Sequence, residues 1–317
     1  MRRALYILVA VVLSTQSSAT SRSALVTEAK IPGATLRITV LEPVDDEKAA
    51  ELVDWLRSAS TNVSLAYGRF PNPSTSVIVR PTNRHSWGGD SPVPFGRVIR
   101  DDGERVELYV NVDRPIEDFY EDWTATHEFS HLMLPYVSPR NKWISEGFAS
   151  YYQNILMSRA GHYTDAEAWK KLSDGFERGR HSRPELSLND AAEAGVRRAR
   201  MKIYWSGAAI ALLADVQLRE RSAGRESLDT ALDGLQRCCL PSTRTWSGPE
   251  LFSKLDSFVE VPVFMPLYRR YADRAGFPDV APALQRLGVE INGAGTRLRE
   301  DAELASIRDA ISHGATQ

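Results

Sequence analysis

Cysteine is nearly absent from this sequence. Only two of its 317 residues are cysteines, and they are neighbours, Cys238 and Cys239. A disulfide framework needs cysteines spread along the chain, so none is expected. A bridge between adjacent residues would strain the peptide between them, so the pair reads as two small apolar side chains near a helix end. An excess of one charge is also missing. Lysine plus arginine number 39 against 41 acidic residues, a formal net charge of -2. That removes the overall basic field of a nucleic-acid binder, and no nucleic-acid partner is expected. Beyond the first residues there is no apolar run near the roughly 20 needed to cross a bilayer, so stable membrane insertion is not expected. No internal repeat is visible, which argues against a solenoid. What remains is ordinary for a soluble globular chain, with 43% hydrophobic and 25% charged residues. The length suffices for one large domain or two modest ones.

The N-terminus is patterned as a signal peptide over residues 1–20. Met1-Arg2-Arg3 is basic, Ala4 to Leu13 is apolar, and Ser14 to Ser21 is small and polar, with Ser17-Ser18-Ala19 as a cleavage site. A secreted or periplasmic location follows as an expectation.

The rest reads as an α+β chain. Ala34 to Leu41 alternates like a strand, and Asp45-Asp46 opens a helix whose apolar residues recur at helical spacing. Ser76 to Arg80 reads as a buried strand. Pro81 to Gly96 reads as a loop carrying His85 and Trp87, with His85 taken as a solvated loop residue. Val106 to Asn111 alternates again and is expected to be an edge strand able to pair with an extended peptide, with Glu107 exposed on it. Residues 22–112 therefore form a small α/β lobe.

From Asp113 the pattern is helical. Asp113 is the expected N-cap of a single helix that has Pro115 in its first turn and stops at Pro135. Further helices are expected over 142–158, 165–172, 189–194, 204–221, 227–235, 250–258, 266–275 and 280–287. Residues 173–187, with Gly175, Gly179 and Pro184, read as loop. Residues 113–317 make a mainly helical lobe, the two lobes forming one catalytic domain.

The informative stretch lies on the helix ending at Pro135. It reads His127-Glu128-Phe129-Ser130-His131 in a chain with only six histidines. Histidines at i and i+4 share one helix face and can pinch a single zinc ion, while the glutamate between them serves as general base on a zinc-activated water. A hydrolytic zinc site needs a third protein ligand and an open position. Glu146 is the candidate. Fourteen residues separate it from His131, enough for a turn and an antiparallel helix, and Gly147 beside it permits close packing. Ser150, one turn on, is a candidate to orient the ligands. The cluster Arg197 to Lys202 reads as a solvated charged face.

The segment Trp143-x-x-Glu146-Gly147-Phe148-Ala149-Ser150-Tyr151 resembles the third-ligand segment of the gluzincins, near the glycyl aminopeptidase and membrane alanyl aminopeptidase families. Tyr204-Trp205-Ser206-Gly207-Ala208 is similar to the helix in which those families place an oxyanion-stabilising tyrosine, and the segment from Leu267 to Gly288 is similar to the end of a glycyl-aminopeptidase catalytic domain. The resemblance covers about residues 105–290. It implies a thermolysin-like zincin architecture, one Zn2+ on His127, His131 and Glu146, catalysis by Glu128 and Tyr204, and a peptide or protein substrate. The Gly-x-Met-Glu-Asn motif that anchors a free amine in the alanyl aminopeptidases is absent ahead of the zinc helix, so exopeptidase and endopeptidase action both stay open. Two other readings use the same residues: a catalytically inactive peptidase-fold binding protein, and a zinc-dependent hydrolase of a non-peptide amide. Nothing in the sequence sets the oligomeric state.

Overall fold

The computed structural model describes residues 24–82, 90–100, 103–293 and 295–314. The signal segment, His85 and Trp87 lie outside the described residues. The first part is a five-stranded sheet built from β1 (Ala24–Ile31), β2 (Ala34–Leu41), β3 (Ser74–Pro81), β4 (Phe95–Ile99) and β5 (Arg105–Val110), in the order β1-β2-β3-β5-β4. β2, β3 and β5 run parallel, while β1 and β4 pair antiparallel at the two edges. Helix α1 (Asp46–Ser64) is the crossover between β2 and β3. Asp45 caps it by accepting from the Lys48 amide at 2.8 Å. Alternation puts Leu36, Ile38, Val77, Val79, Val106 and Leu108 on one buried face, against Leu52, Trp55 and Leu56 of α1.

Two sequence expectations change here. The strand at Arg105–Val110 is interior, and the edge beside it is β4, which starts in the last two residues of the segment read as loop and continues through residues for which no strand was expected. β4 hides from pattern reading because Gly96 and exposed Phe95 and Arg97 spoil its alternation. Glu107 is buried at 2% exposure rather than exposed, because Arg80 and Arg97 close over it at 3.3 and 2.7 Å. Those arginines keep its carboxyl below the usual range although burial opposes ionisation.

The expected single helix after Asp113 is two helices. α2 (Ile116–Glu121) has Pro115, not Asp113, as its N-cap, and α3 (Thr124–Ser130) continues as a 3-10 turn, His131–Met133, before Pro135. The break sits at Asp122, whose backbone is extended and whose carboxylate accepts from the Thr124 amide at 2.7 Å and from Ser91 Oγ at 2.7 Å. A side chain that satisfies the first amides of α3 starts a new helix there.

The helical part follows with α4 (Lys142–Arg159), α5 (Asp165–His181), α6 (Leu188–Ala194), α7 (Val196–Arg221), α8 (Leu228–Cys239), α9 (Gly248–Asp256), α10 (Phe264–Tyr271) and α11 (Ala281–Arg286). A short hairpin, β6 (Val289–Asn292) and β7 (Gly295–Leu298), and α12 (Ala305–His313) close the described chain. α5 runs through residues expected as loop. Its Thr164–Glu167 capping box fixes the start, and its two glycines do not break the helix: Gly175 lies against the Trp205 ring and Gly179 against the Phe277 ring and the Trp205 Cβ. α7 begins before Tyr204 and is kinked at Ala199. α4 packs along α7 in the middle of the helical part.

Cys238 and Cys239 form a disulfide, against expectation. Their Cα atoms are 3.7 Å apart, the normal spacing of chain neighbours. The small ring therefore closes without separating them, which the strain argument had taken to exclude it. Among the described residues no helix is long and apolar enough to cross a membrane.

Candidate metal centre

Helical periodicity sets the first half of the site. His127 and His131 are one turn apart and both are buried. Their rings meet edge-on with centroids 4.8 Å apart. Each ring is fixed through Nδ1. His127 Nδ1 lies 2.7 Å from Gln153 Oε1, and His131 Nδ1 lies 2.9 Å from Ser145 Oγ. An amide oxygen can only accept, so the contact puts a proton on His127 Nδ1, and in the neutral ring the Nε2 lone pair is then the one free to coordinate.

Both Nε2 atoms face the same carboxylate oxygen. Glu146 Oε2 stands 3.5 Å from His127 Nε2 and 3.5 Å from His131 Nε2. Three donors bound about 2.0–2.1 Å from a tetrahedral ion lie about 3.4 Å apart, so this spacing suits zinc. Glu146 Oε2 is buried and has no hydrogen-bond partner. A buried, unpartnered carboxylate oxygen is costly unless something cationic meets it.

Glu128 lies in the same cluster, within 4.8 Å of the histidine nitrogens. Ionisation separates its role from that of Glu146. Burial opposes ionisation of Glu146, but His131, His127 and Lys142 outweigh it and hold the carboxyl well below its usual range. Burial pushes Glu128 up to about 7, with His127 and Lys142 only partly offsetting it. A ligand must be ionised, whereas a proton carrier works best near neutrality. Glu146 therefore suits the ligand position and Glu128 the proton-transfer position. Burial also lowers His131 to about 4, which keeps it free to coordinate.

Tyr204 comes from α7. Its ring stacks on His127 at 5.8 Å and 6°. Burial raises its hydroxyl well above the usual value, and the charges of Glu146 and Glu128 add to this, so it stays a donor. The structure thus brings all five sequence-selected residues together. It does not use Ser150, whose buried Oγ has no partner. Ser145 and Gln153 take the orienting role instead. Gln153 is two turns beyond Glu146 on the same helix face, a spacing that could have flagged it.

The site opens into a cleft of about 290 Å³, lined by β4 on one side and by Tyr136, Lys142, Ser145 and Val196 on the other. Arg100, at the end of β4, donates to the carbonyls of His131 at 2.8 Å and Leu134 at 3.1 Å, tying the sheet edge to the end of the histidine helix. Gly96 faces Glu128. A Cβ there would lie 2.5 Å from Glu128 Cγ, so the edge strand approaches the acid closely only as glycine.

Residues 135–210 match the family model of the M61 glycyl aminopeptidases, a segment that contains Glu146 and Tyr204 and begins just after His131. No curated protein matches the sequence. Among solved structures, an aminopeptidase N family protein from Idiomarina loihiensis superposes with a TM-score of 0.64 at 14% identity, over 88% of this chain and 53% of that one. A two-domain M1 zinc metallopeptidase bound to L-tryptophan gives 0.52 at 14% identity, over 80% and 52%. Native yeast LTA4 hydrolase gives 0.53 at 12% identity, over 80% and 40%. The fold is that of the M1 zinc metallopeptidases. The chain spans about half the length of these structures or less.

Removing the Gln153 contact tests the histidine geometry. Gln153→Leu leaves His127 Nδ1 without its acceptor, and zinc affinity is expected to fall about 10- to 100-fold in a chelator competition. An unchanged dissociation constant would show that the ring is held by packing alone.

Proposed function

We propose that the chain is a zinc-dependent peptidase, holding one zinc ion on His127, His131 and Glu146. The supporting observation is the unpartnered Glu146 Oε2, equidistant from the two free histidine nitrogens. A zinc ion held there would supply a Lewis acid for the scissile carbonyl and would lower the pKa of a water molecule toward about 7. Glu128 is placed to take a proton from the attacking water and to deliver it to the leaving amine. Tyr204 donates a hydrogen bond to the carbonyl oxygen as negative charge develops on it. The free edge of β4 pairs with an extended peptide, aligning the bond over the centre.

This reading carries a thermolysin-like zincin arrangement, with residues 22–112 and 113–317 as two lobes of one catalytic domain. It also carries export, on the strength of the Met1–Ser21 pattern. The test is metal content and peptide cleavage on one preparation. Purified protein is expected to hold about one zinc per chain, the count a three-ligand site with one open position requires. Cleavage of a peptide mixture is expected to stop on chelation and return with added zinc. Cleavage that persists in excess chelator, or a chain that takes up no zinc, would overturn the proposal.

A further inference from the structure

Lys142 stands at the wall of the cleft, where it pairs with a residue of the candidate metal centre. It is the first residue of α4, where the helix dipole disfavours a cation. Its side chain remains 44% exposed, so it does not fill the core. One helical turn ahead of Glu146, it places Nζ 3.1 Å from Glu146 Oε1 and lines the cleft beside Tyr136 and Ser145. Arg200, exposed on α7, stacks its guanidinium 5.6 Å over the ring of Tyr204, which lines the cleft. The two carboxylates among the described lining residues are Glu128 and Glu146, and both serve the metal chemistry. A dication shared by Glu146 would consume the charge that now balances Lys142. The ammonium then faces the open cleft, and the loaded site is net positive.

Resting on the peptidase reading, we infer that the cleft selects peptides with an acidic side chain next to the scissile bond, and that Lys142 is the residue that reads it. The ammonium donates to the substrate carboxylate, and Arg200 adds long-range attraction. A lysine that only oriented Glu146 would leave no such preference.

Binding, rather than turnover, tests this. The probes are C-amidated alanine hexapeptides, each made with a free and with an acetylated N-terminus, in which glutamate or glutamine occupies each position in turn. They are titrated calorimetrically against the zinc-loaded Glu128→Gln chain. At one position or two neighbouring ones, the glutamate peptide is expected to bind about tenfold more tightly than its glutamine twin, as for a hydrogen bond to a charged group. The ratio is expected to shrink with added salt, to persist in Lys142→Arg, and to vanish in Lys142→Met. Equal binding of each pair, no binding of any peptide, or a ratio that survives in Lys142→Met overturns the inference. The peptidase reading fails separately, if the zinc-loaded wild-type chain binds these peptides with the acidic preference yet hydrolyses none of them.

Discussion

Glu128→Gln is expected to leave a folded, zinc-binding protein whose kcat/KM for peptide cleavage falls about 10²- to 10⁴-fold. The substitution keeps the shape of the side chain and removes its charge and its ability to carry a proton. Glu128 sits against Gly96 of the edge strand, so its isosteric amide fits where a larger group would not. The proposed ligands His127, His131 and Glu146 are untouched, and zinc content should match the wild type. A second readout is independent of activity. In the metal-free chain burial lifts the Glu128 carboxyl to about 7, above its unfolded value of about 4.5. The folded state therefore holds a proton that the unfolded state has released between those values. Its stability falls as pH rises through that window. The glutamine variant has no such proton to lose. Its metal-free melting temperature should exceed the wild type's at pH 8, with the gap narrowing toward pH 5. Turnover that survives the substitution removes Glu128 from the mechanism. A gap that does not change with pH means the carboxyl is not the buried titrating group.

The residues of the candidate metal centre were legible because coordination chemistry imposes short, regular spacings. His127 and His131 lie one turn apart, and Glu146 begins a helix whose run from Trp143 to Tyr151 is distinctive. Tyr204 came only through resemblance, since a lone aromatic in an apolar helix carries no signal of its own. Gln153 and Ser145 were missed because one polar side chain on a buried helix face looks like any other until the ring it meets is placed. The sheet edge was misassigned for a related reason. β4 is short, mostly solvent-facing and interrupted by glycine, so its strand character comes from pairing with β5 and not from its residues. In α5 the opposite happened. Glycines that usually punctuate a chain are there because Trp205 and Phe277 need the space. The division of the histidine helix at Asp122 turns on a carboxylate captured by Ser91, a contact between segments about thirty residues apart that no local pattern reveals.

The crossing of α4 and α7 yields the largest expected loss of stability. Gly147 and Gly207 meet backbone to backbone at that crossing. A Cβ on Gly207 would collide with the Trp143 carbonyl and lie 2.7 Å from Gly147 Cα. Backbone cannot swing aside as a side chain can, and Trp143 is doubly pinned. It is fully buried, and its Nε1 donates to Asn189 Oδ1 at 3.0 Å. Gly207→Ala must therefore push the helices apart, at the upper end of the usual overpacking cost, about 3 kcal/mol. The displacement falls on the site, because Glu146 precedes Gly147 and Tyr204 lies one turn before Gly207. Zinc affinity and peptide cleavage should drop together with the melting temperature. Gly224→Ala is the control. Gly224 has φ of 82° and open space around the added carbon, so its cost is the left-handed backbone alone, about 1–2 kcal/mol, with zinc affinity unchanged. If Gly207→Ala is no more destabilising than Gly224→Ala and binds zinc normally, the helices have slack at the crossing. Their close approach would then not be what sets Glu146 beside Tyr204.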